Sequence, residues 1–224
     1  MRYRAVLFDF NGTISLDEEM SQEAWARAFA LLGVDWSRER FFADLVGHHS
    51  EMIAFEAYRL AAGVEPTRAW LEQALEVRLA TGVRAIAAGE TIAEETAEVI
   101  RRLAAEVPLA LVTSAPRFLV ERELGAADLL RHFAVVVAHE DVQEHKPAPA
   151  PYRRSLALLG VDATMAVAVE DSRPGALSAL AAGLDVILVG GEWAPRDLPY
   201  RGHVESVADP ELLEILGLEA SPEA

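Results

Sequence analysis

Apolar residues fall along this chain in two rhythms. Short runs rich in Val, Leu, Ile and Ala recur at residues 4–9 ("RAVLFD"), 108–114 ("PLALVTS"), 134–138 ("AVVVA"), 165–171 ("MAVAVED") and 185–190 ("DVILVG"). Apolar side chains at consecutive positions are the mark of a strand buried on both faces of a parallel sheet. Between these runs a helical rhythm takes over. Residues 91–106 open with Thr91 and Glu94 at capping-box spacing and carry Val99, Ile100 and Leu103 on one face. After "EDSRPG", Pro174 suits a first helical turn, Leu177 and Leu180 form a stripe, and Gly183 supplies a stop. Strands alternating with helices predict an α/β fold built on a doubly wound parallel sheet.

The alternation lapses between the first and second runs. From about residue 15 to residue 84 every periodic segment is helical, as in "SQEAWARAFALLG" with Trp25, Phe29 and Leu32 at helical spacing. The division expected is a Rossmann-like core of residues 1–14 and 87–224 with a helical cap, residues 15–86, inserted after the first strand. Ligands of parallel sheets sit beyond the carboxyl ends of the strands, so an insertion leaving that loop would cover the site as a lid.

Composition narrows the field of activities. With 224 residues, 52% of them hydrophobic, the chain can fill a substantial core. Its 20 basic and 36 acidic residues leave a formal charge of −16, a field that repels nucleic acid and anionic membranes. Cysteine is absent, which excludes disulfides, thiolate metal sites and a cysteine nucleophile. No apolar stretch approaches the ~20 residues of a membrane span, and the N-terminal stretch is too short for a signal peptide, so a cytoplasmic protein is expected. Of the basic residues all but one are arginine, and the exception is Lys146. A chain that uses arginine everywhere else keeps a compact ammonium at this one place.

Polar groups with chemical capacity lie at the ends of successive strands or in the loops beyond: Asp9, Thr113 with Ser114, Lys146, and Glu170 with Asp171. Parallel strands would bring them to one edge of the sheet. A carboxylate at the first strand and an acidic pair at the fourth suit Mg²⁺, which prefers oxygen ligands, while a hydroxyl and an ammonium suit phosphate oxygens. Plainer readings exist for each, and that for Lys146 is a solvated surface lysine. Asp9 precedes an Asn-Gly turn, Thr113 and Ser114 stand where a helix cap would ahead of Pro116, and Glu170 and Asp171 favour a helix N-terminus. Within the insertion "GHHS" places His48 and His49 side by side. Adjacent helical positions point about 100° apart, so the pair is a loop or helix start rather than a metal site. His139 and His145 read as structural, and Trp193 as packing.

Taken in order, "FDFNGT", "LVTS", "HKPAP" and "VEDSRPGALSALAAG" resemble the motifs of the haloacid dehalogenase-like hydrolases, and the helical insertion resembles the cap of the branch containing phosphoglycolate phosphatases and β-phosphoglucomutases. The likeness implies that Asp9 attacks phosphorus to form an aspartyl-phosphate. It implies that Asp9, Asp171 and the backbone carbonyl of Asn11 hold Mg²⁺, while Glu170 holds a metal-bound water. Thr113, helped by the Ser114 backbone, would bind the phosphoryl group, and Lys146 would neutralise charge on Asp9 and the phosphate. A cap loop containing glycine reaches the substrate in such proteins, which makes His48 and His49 candidate contacts to the leaving group.

One position departs from the pattern. The family's phosphatases and mutases usually carry aspartate where this chain has Asn11, and that acid protonates the leaving oxygen and later activates water. An amide does neither. Three explanations stay open: a substrate with a good leaving group, such as an acyl phosphate; a weak or inactive phosphometabolite-binding protein; or an Asp→Asn replacement, with the Asn-Gly pair prone to deamidation. Related phosphonate hydrolases use a cap lysine, and the insertion has none. The acidic pair argues against metal-independent dehalogenation, and Ser21 stands where mutases place a histidine. The expectation is a Mg²⁺-dependent phosphatase acting on a small phosphorylated metabolite, as monomer or homodimer.

Overall fold

The computed structural model of the chain describes residues 1–15, 18–37, 45, 47–87, 91–191 and 194–218; Trp193 lies outside them. Six parallel strands form one sheet: β1 (Ala5–Phe8), β2 (Leu109–Val112), β3 (Phe133–Val137), β4 (Ala166–Glu170), β5 (Asp185–Val189) and β6 (Gly202–Val204), in the order β3-β2-β1-β4-β5-β6. The chain steps outward from β1 to β3 and then crosses back to lay β4 on the other flank of β1. That reversal opens a crevice beyond the ends of β1 and β4, the place where ligands of open α/β sheets bind.

Consecutive apolar residues serve two layers because strand side chains alternate between faces. Val6, Phe8, Leu109, Leu111, Val167 and Val169 face α4 (Glu94–Glu106), α5 (Arg117–Ala126) and α8 (Pro210–Ile215). Ala5, Leu7, Ala110, Ala166 and Ala168 face α6 (Ala150–Leu159) and α7 (Arg173–Ala181), where Ala176 and Ala179 are equally small. Small residues on both sides suit close packing of α7, while α6 contributes the larger Tyr152 and Leu156. The β3 run, read as buried on both faces, is an edge strand with Ala134 exposed. β6, too short and too polar to register as a strand in the sequence, pairs with β5 through Ile187, Leu188 and Val189.

Helix signals were mostly well placed. Pro174 lies in the first turn of α7 with Ser172 as its cap, and Gly183 follows the helix at φ 90°. Thr91 does not cap α4: the helix begins at Glu94 behind Ala93, with no side-chain cap bond, so the capping box set the start too early.

Helices α1 (Glu18–Leu31), α2 (Ser50–Ala62) and α3 (Arg68–Ala87) follow β1 with no strand among the described residues. They bury their own cluster, including Trp25, Phe29, Val34, Ile53, Ala57 and Ala74, with Trp25 and Phe29 stacked at 5.3 Å. This is a helical insertion with a core separate from that of the sheet.

Candidate active site

The segment after β1 turns back on a single carbonyl. Phe10 O accepts the N–H groups of Thr13, Ile14 and Ser15 at 3.2, 2.8 and 3.0 Å, and Gly12 N–H reaches Ser15 O at 2.9 Å. Gly12 has φ 80°, a conformation costly for residues with a Cβ, so the Asn-Gly pair is what permits the turn. The turn holds Asp9 at the strand end, its N–H on Val169 O at 3.0 Å, with half-buried Asn11 beside it. Buried Ser15 and Glu123 hydrogen-bond and tie the turn to α5.

Lys146 organises the centre. Its Nζ lies 2.6 Å from Asp9 Oδ1, 2.6 Å from Glu170 Oε1 and 2.9 Å from Val112 O, which uses all three ammonium protons. Tyr152 donates its hydroxyl to Glu170 Oε1 at 2.6 Å, and Ser172 Oγ reaches Glu170 Oε2 at 3.3 Å. Gly175 completes the cradle, since a Cβ there would lie 2.0 Å from both Glu170 oxygens.

Burial makes the charge balance of this group consequential. Desolvation pushes the Asp9 carboxyl up to about 7; Lys146 pulls against it and Glu170 adds to it. Desolvation would lower the Lys146 ammonium, but Asp9 and Glu170 outweigh it and hold its pKa above the ordinary value. One cation therefore faces two buried carboxylates, and half-buried Asp171 adjoins them. Oxygens of Asp9, Glu170 and Asp171 lie within 4.8 Å of one another, and among the described residues no other group of acids or histidines converges in this way. Surplus negative charge on hard oxygen donors fits a divalent cation such as Mg²⁺.

Thr113 is buried at the end of β2, its N–H on Val137 O at 2.9 Å and its Oγ1 accepting from Ala115 N–H at 3.0 Å. Helix α5 is capped by Pro116, without a side-chain bond, so Ser114 is not a helix cap. Gly47, at φ 84°, rests on the start of α7: a Cβ there would stand 2.3 Å from Ser172 Oγ. Two residues on, the His49 ring meets His145 at 4.6 Å and His139 at 5.3 Å, and those two stack at 4.1 Å. Burial, with the neighbouring His145, His139 and His48, depresses His49 to about 4. His145 is lowered by burial and then by His139, and His48 by burial against the opposing pull of Glu56. The insertion loop thus touches the core at Ser172, two residues after Glu170, and at His145, next to Lys146.

A family model for haloacid dehalogenase-like hydrolases matches residues 3–183. The protein CbbY of Rhodobacter capsulatus is 33% identical over 208 residues, covering 88% of this chain and 89% of that protein. The chain belongs to the haloacid dehalogenase-like hydrolases. A phosphoglycolate phosphatase of Pectobacterium atrosepticum is 29% identical, over 80% of this chain and 77% of that protein. A crystal structure of CbbY from Rhodobacter sphaeroides, an aspartate-to-asparagine variant in complex with xylulose-1,5-bisphosphate, superposes with a TM-score of 0.78 at 29% identity, over 92% of this chain and 96% of that one. The chain is accordingly a hydrolase of the phosphatase kind.

Seen as a member of that family, the chain brings Asp9, Lys146, Glu170 and Asp171 into one cluster and sets Thr113 on the neighbouring strand end. Asn11 sits on the turn beside Asp9. Ser114 lines a cleft shared with the insertion, His49 packs on the core histidines, and His48 interacts electrostatically with Glu56 of α2. Sequence reasoning missed Tyr152, Ser172 and Gly175, all of which shape Glu170. Their signal was position alone: Tyr152 follows Lys146 within the same proline-rich segment, and the other two follow the acidic pair. It also missed that His139 and His145 meet a histidine of the insertion, since those contacts join segments far apart in the chain.

Proposed function

We propose that the chain is a Mg²⁺-dependent phosphomonoesterase that works in the cytoplasm on a small phosphorylated metabolite. The observation that carries this reading is the buried contact of Lys146 with both Asp9 and Glu170 at the sheet's switch point. Asp9, Asp171 and the Asn11 backbone carbonyl would hold the metal, with Glu170 holding a water bound to it. Bound there, Mg²⁺ would neutralise charge on the phosphoryl oxygens.

Asp9 is the nucleophile. One of its oxygens forms the new P–O bond as the bond to the leaving oxygen breaks, and that oxygen departs with the electron pair. Lys146 keeps Asp9 oriented and offsets its charge, while the Thr113 hydroxyl and the Ser114 N–H hold phosphoryl oxygens. Water then attacks phosphorus as the P–O bond to Asp9 breaks, which returns the carboxylate and leaves the second proton of the water on the released phosphate. Asn11 supplies no proton to the first step and takes none in the second, so the substrates served best are those whose leaving oxygen needs no proton. The helical insertion acts as the cap that closes over this site.

The test is phosphate release from acetyl phosphate with Mg²⁺, on a sample whose intact mass establishes whether residue 11 is still the amide. Asp9→Ala is expected to bring release to background, and retained turnover would overturn the assignment. A second reading is a phosphometabolite-binding protein that does not turn its ligand over. It is favoured by Asn11 and by the CbbY asparagine variant, which holds a sugar bisphosphate. Mg²⁺-dependent phosphate binding without any release from acetyl phosphate would establish it.

A further inference from the structure

Between the insertion and the core lies a cleft of about 220 Å³. Leu75 and Leu79 of α3 form one wall, and Pro116, Phe118 and Leu119 at the start of α5 form the other; Ser50, Glu51, Arg78 and His139 also line it. Leu79 is 38% exposed and Phe118 53% exposed, so large apolar side chains face this space from both sides without being covered. Ser114 lines the same cleft. It directly follows Thr113, and under the function proposed above both hold the phosphoryl group. Asp9, Thr113 and Lys146 do not line the cleft, so it joins the phosphoryl site at Ser114, where a group attached to the phosphate would enter.

Two independent features then specify that group. The first is the wall chemistry. A polyol would set hydroxyls against the Leu, Pro and Phe side chains that make up most of the surface, where an unpaired hydroxyl is costly to desolvate, with only the polar side chains among the lining to pair them. An apolar ring gains from the same surface. Size agrees, because an apolar cavity of about 150 Å³ already takes up benzene. The second feature is Asn11, which cannot protonate a departing oxygen. A carboxylate or phenolate leaves without that proton, whereas the alkoxide of a sugar does not.

We propose, resting on the phosphatase reading, that the substrate is an aromatic acyl or aryl phosphate whose ring occupies the cleft between α3 and α5. The P–O bond to the aromatic carboxylate or phenolate breaks, its electron pair stays on the departing oxygen, and the new P–O bond forms to Asp9. Leu79 and Phe118 set specificity by covering the ring.

The test compares benzoyl phosphate with acetyl phosphate, two acyl phosphates that differ in the ring, using the full chain with Mg²⁺. Benzoyl phosphate is expected to show a kcat/KM at least about tenfold higher, within the range that one apolar group commands in a pocket. Leu79→Asp and Phe118→Asp are each expected to lower that value about tenfold on benzoyl phosphate and to stay within about twofold of the parent on acetyl phosphate. Both side chains are partly exposed, so the variants retain the fold, which a melting curve checks. Equal rates on the two substrates, or equal losses in the variants, overturn the proposal. Should neither substrate be turned over, the phosphatase reading fails by itself, and calorimetry with phenylphosphonate and methylphosphonate decides the cleft. Tighter binding of the phenyl compound, lost in Leu79→Asp, sustains the ring site, and equal binding removes it.

Discussion

Asn11 is the residue whose identity changes the chemistry most for the smallest change in shape. Its side chain is an isostere of aspartate and the turn that carries it depends on Gly12, so Asn11→Asp should leave the turn intact. Restoring an acid–base group is expected to raise turnover of alkyl phosphates by about 10²–10⁴ and that of acyl phosphates by less than about tenfold. Steady-state kinetics on glycerol phosphate and acetyl phosphate check this, and equal gains on both would refute the leaving-group argument. At this level much was legible in the sequence. The sole lysine of an arginine-rich chain turned out to be buried between Asp9 and Glu170, and Asp9 stands at a strand end as read. Tyr152 was not legible, because nothing local distinguishes a tyrosine that reaches Glu170 from one that packs.

Short segments show where the machinery is rigid and where it yields. The first turn of α7 is built around Glu170, which is fully buried and held by Lys146, Tyr152 and Ser172. In Gly175→Ala the new methyl meets a carboxylate that has nowhere to go. We expect the Mg²⁺ concentration for half-maximal activity to rise about 10–100-fold, as for loss of a partner behind a metal ligand. An unchanged Mg²⁺ titration would show that Glu170 has room. The loop of Gly47 and His49 carries a pH-sensitive contact. His49 is depressed to about 4, so an opened loop binds protons more readily than the closed one between that value and the ordinary ~6.5. The closed contact is complete above this window and is lost progressively as pH falls through it. Hydrogen exchange over residues 47–53 is expected to quicken from pH 7 to pH 4.5 relative to its intrinsic rate, and flat protection would contradict the sign. The strand runs and the α7 signals were readable because each rests on neighbours in sequence. The α4 start was misplaced because a capping box records propensity, while the observed start follows Ala93.

Across the molecule, the sheet order makes a single site from four distant segments and leaves it with more negative charge than Lys146 can offset. Mg²⁺ should therefore stabilise the fold. At a hundredfold excess over its dissociation constant it adds about 2.7 kcal/mol, which for a chain of this length corresponds to roughly 5–10 °C in melting temperature. Differential scanning fluorimetry with Mg²⁺ and then EDTA checks the shift and its reversal, and Asp171→Asn should diminish it. No helix among the described residues is long and apolar enough to cross a membrane.

Linear order was enough to establish the parallel α/β plan, the helical interruption after β1 and the set of strand-end residues, because strand burial and turn chemistry act over a few neighbouring positions. Pairing of His49 with His139 and His145, the support of Glu170 by Tyr152 and Gly175, and the apolar cleft between α3 and α5 depended on the folded chain. Each joins side chains from separate segments, and the distances between segments are set by how helices pack on a twisted sheet, which no local pattern encodes. The amide of "LFDFNGT" belongs to the first kind: its identity and its chemical meaning both follow from residue type and motif.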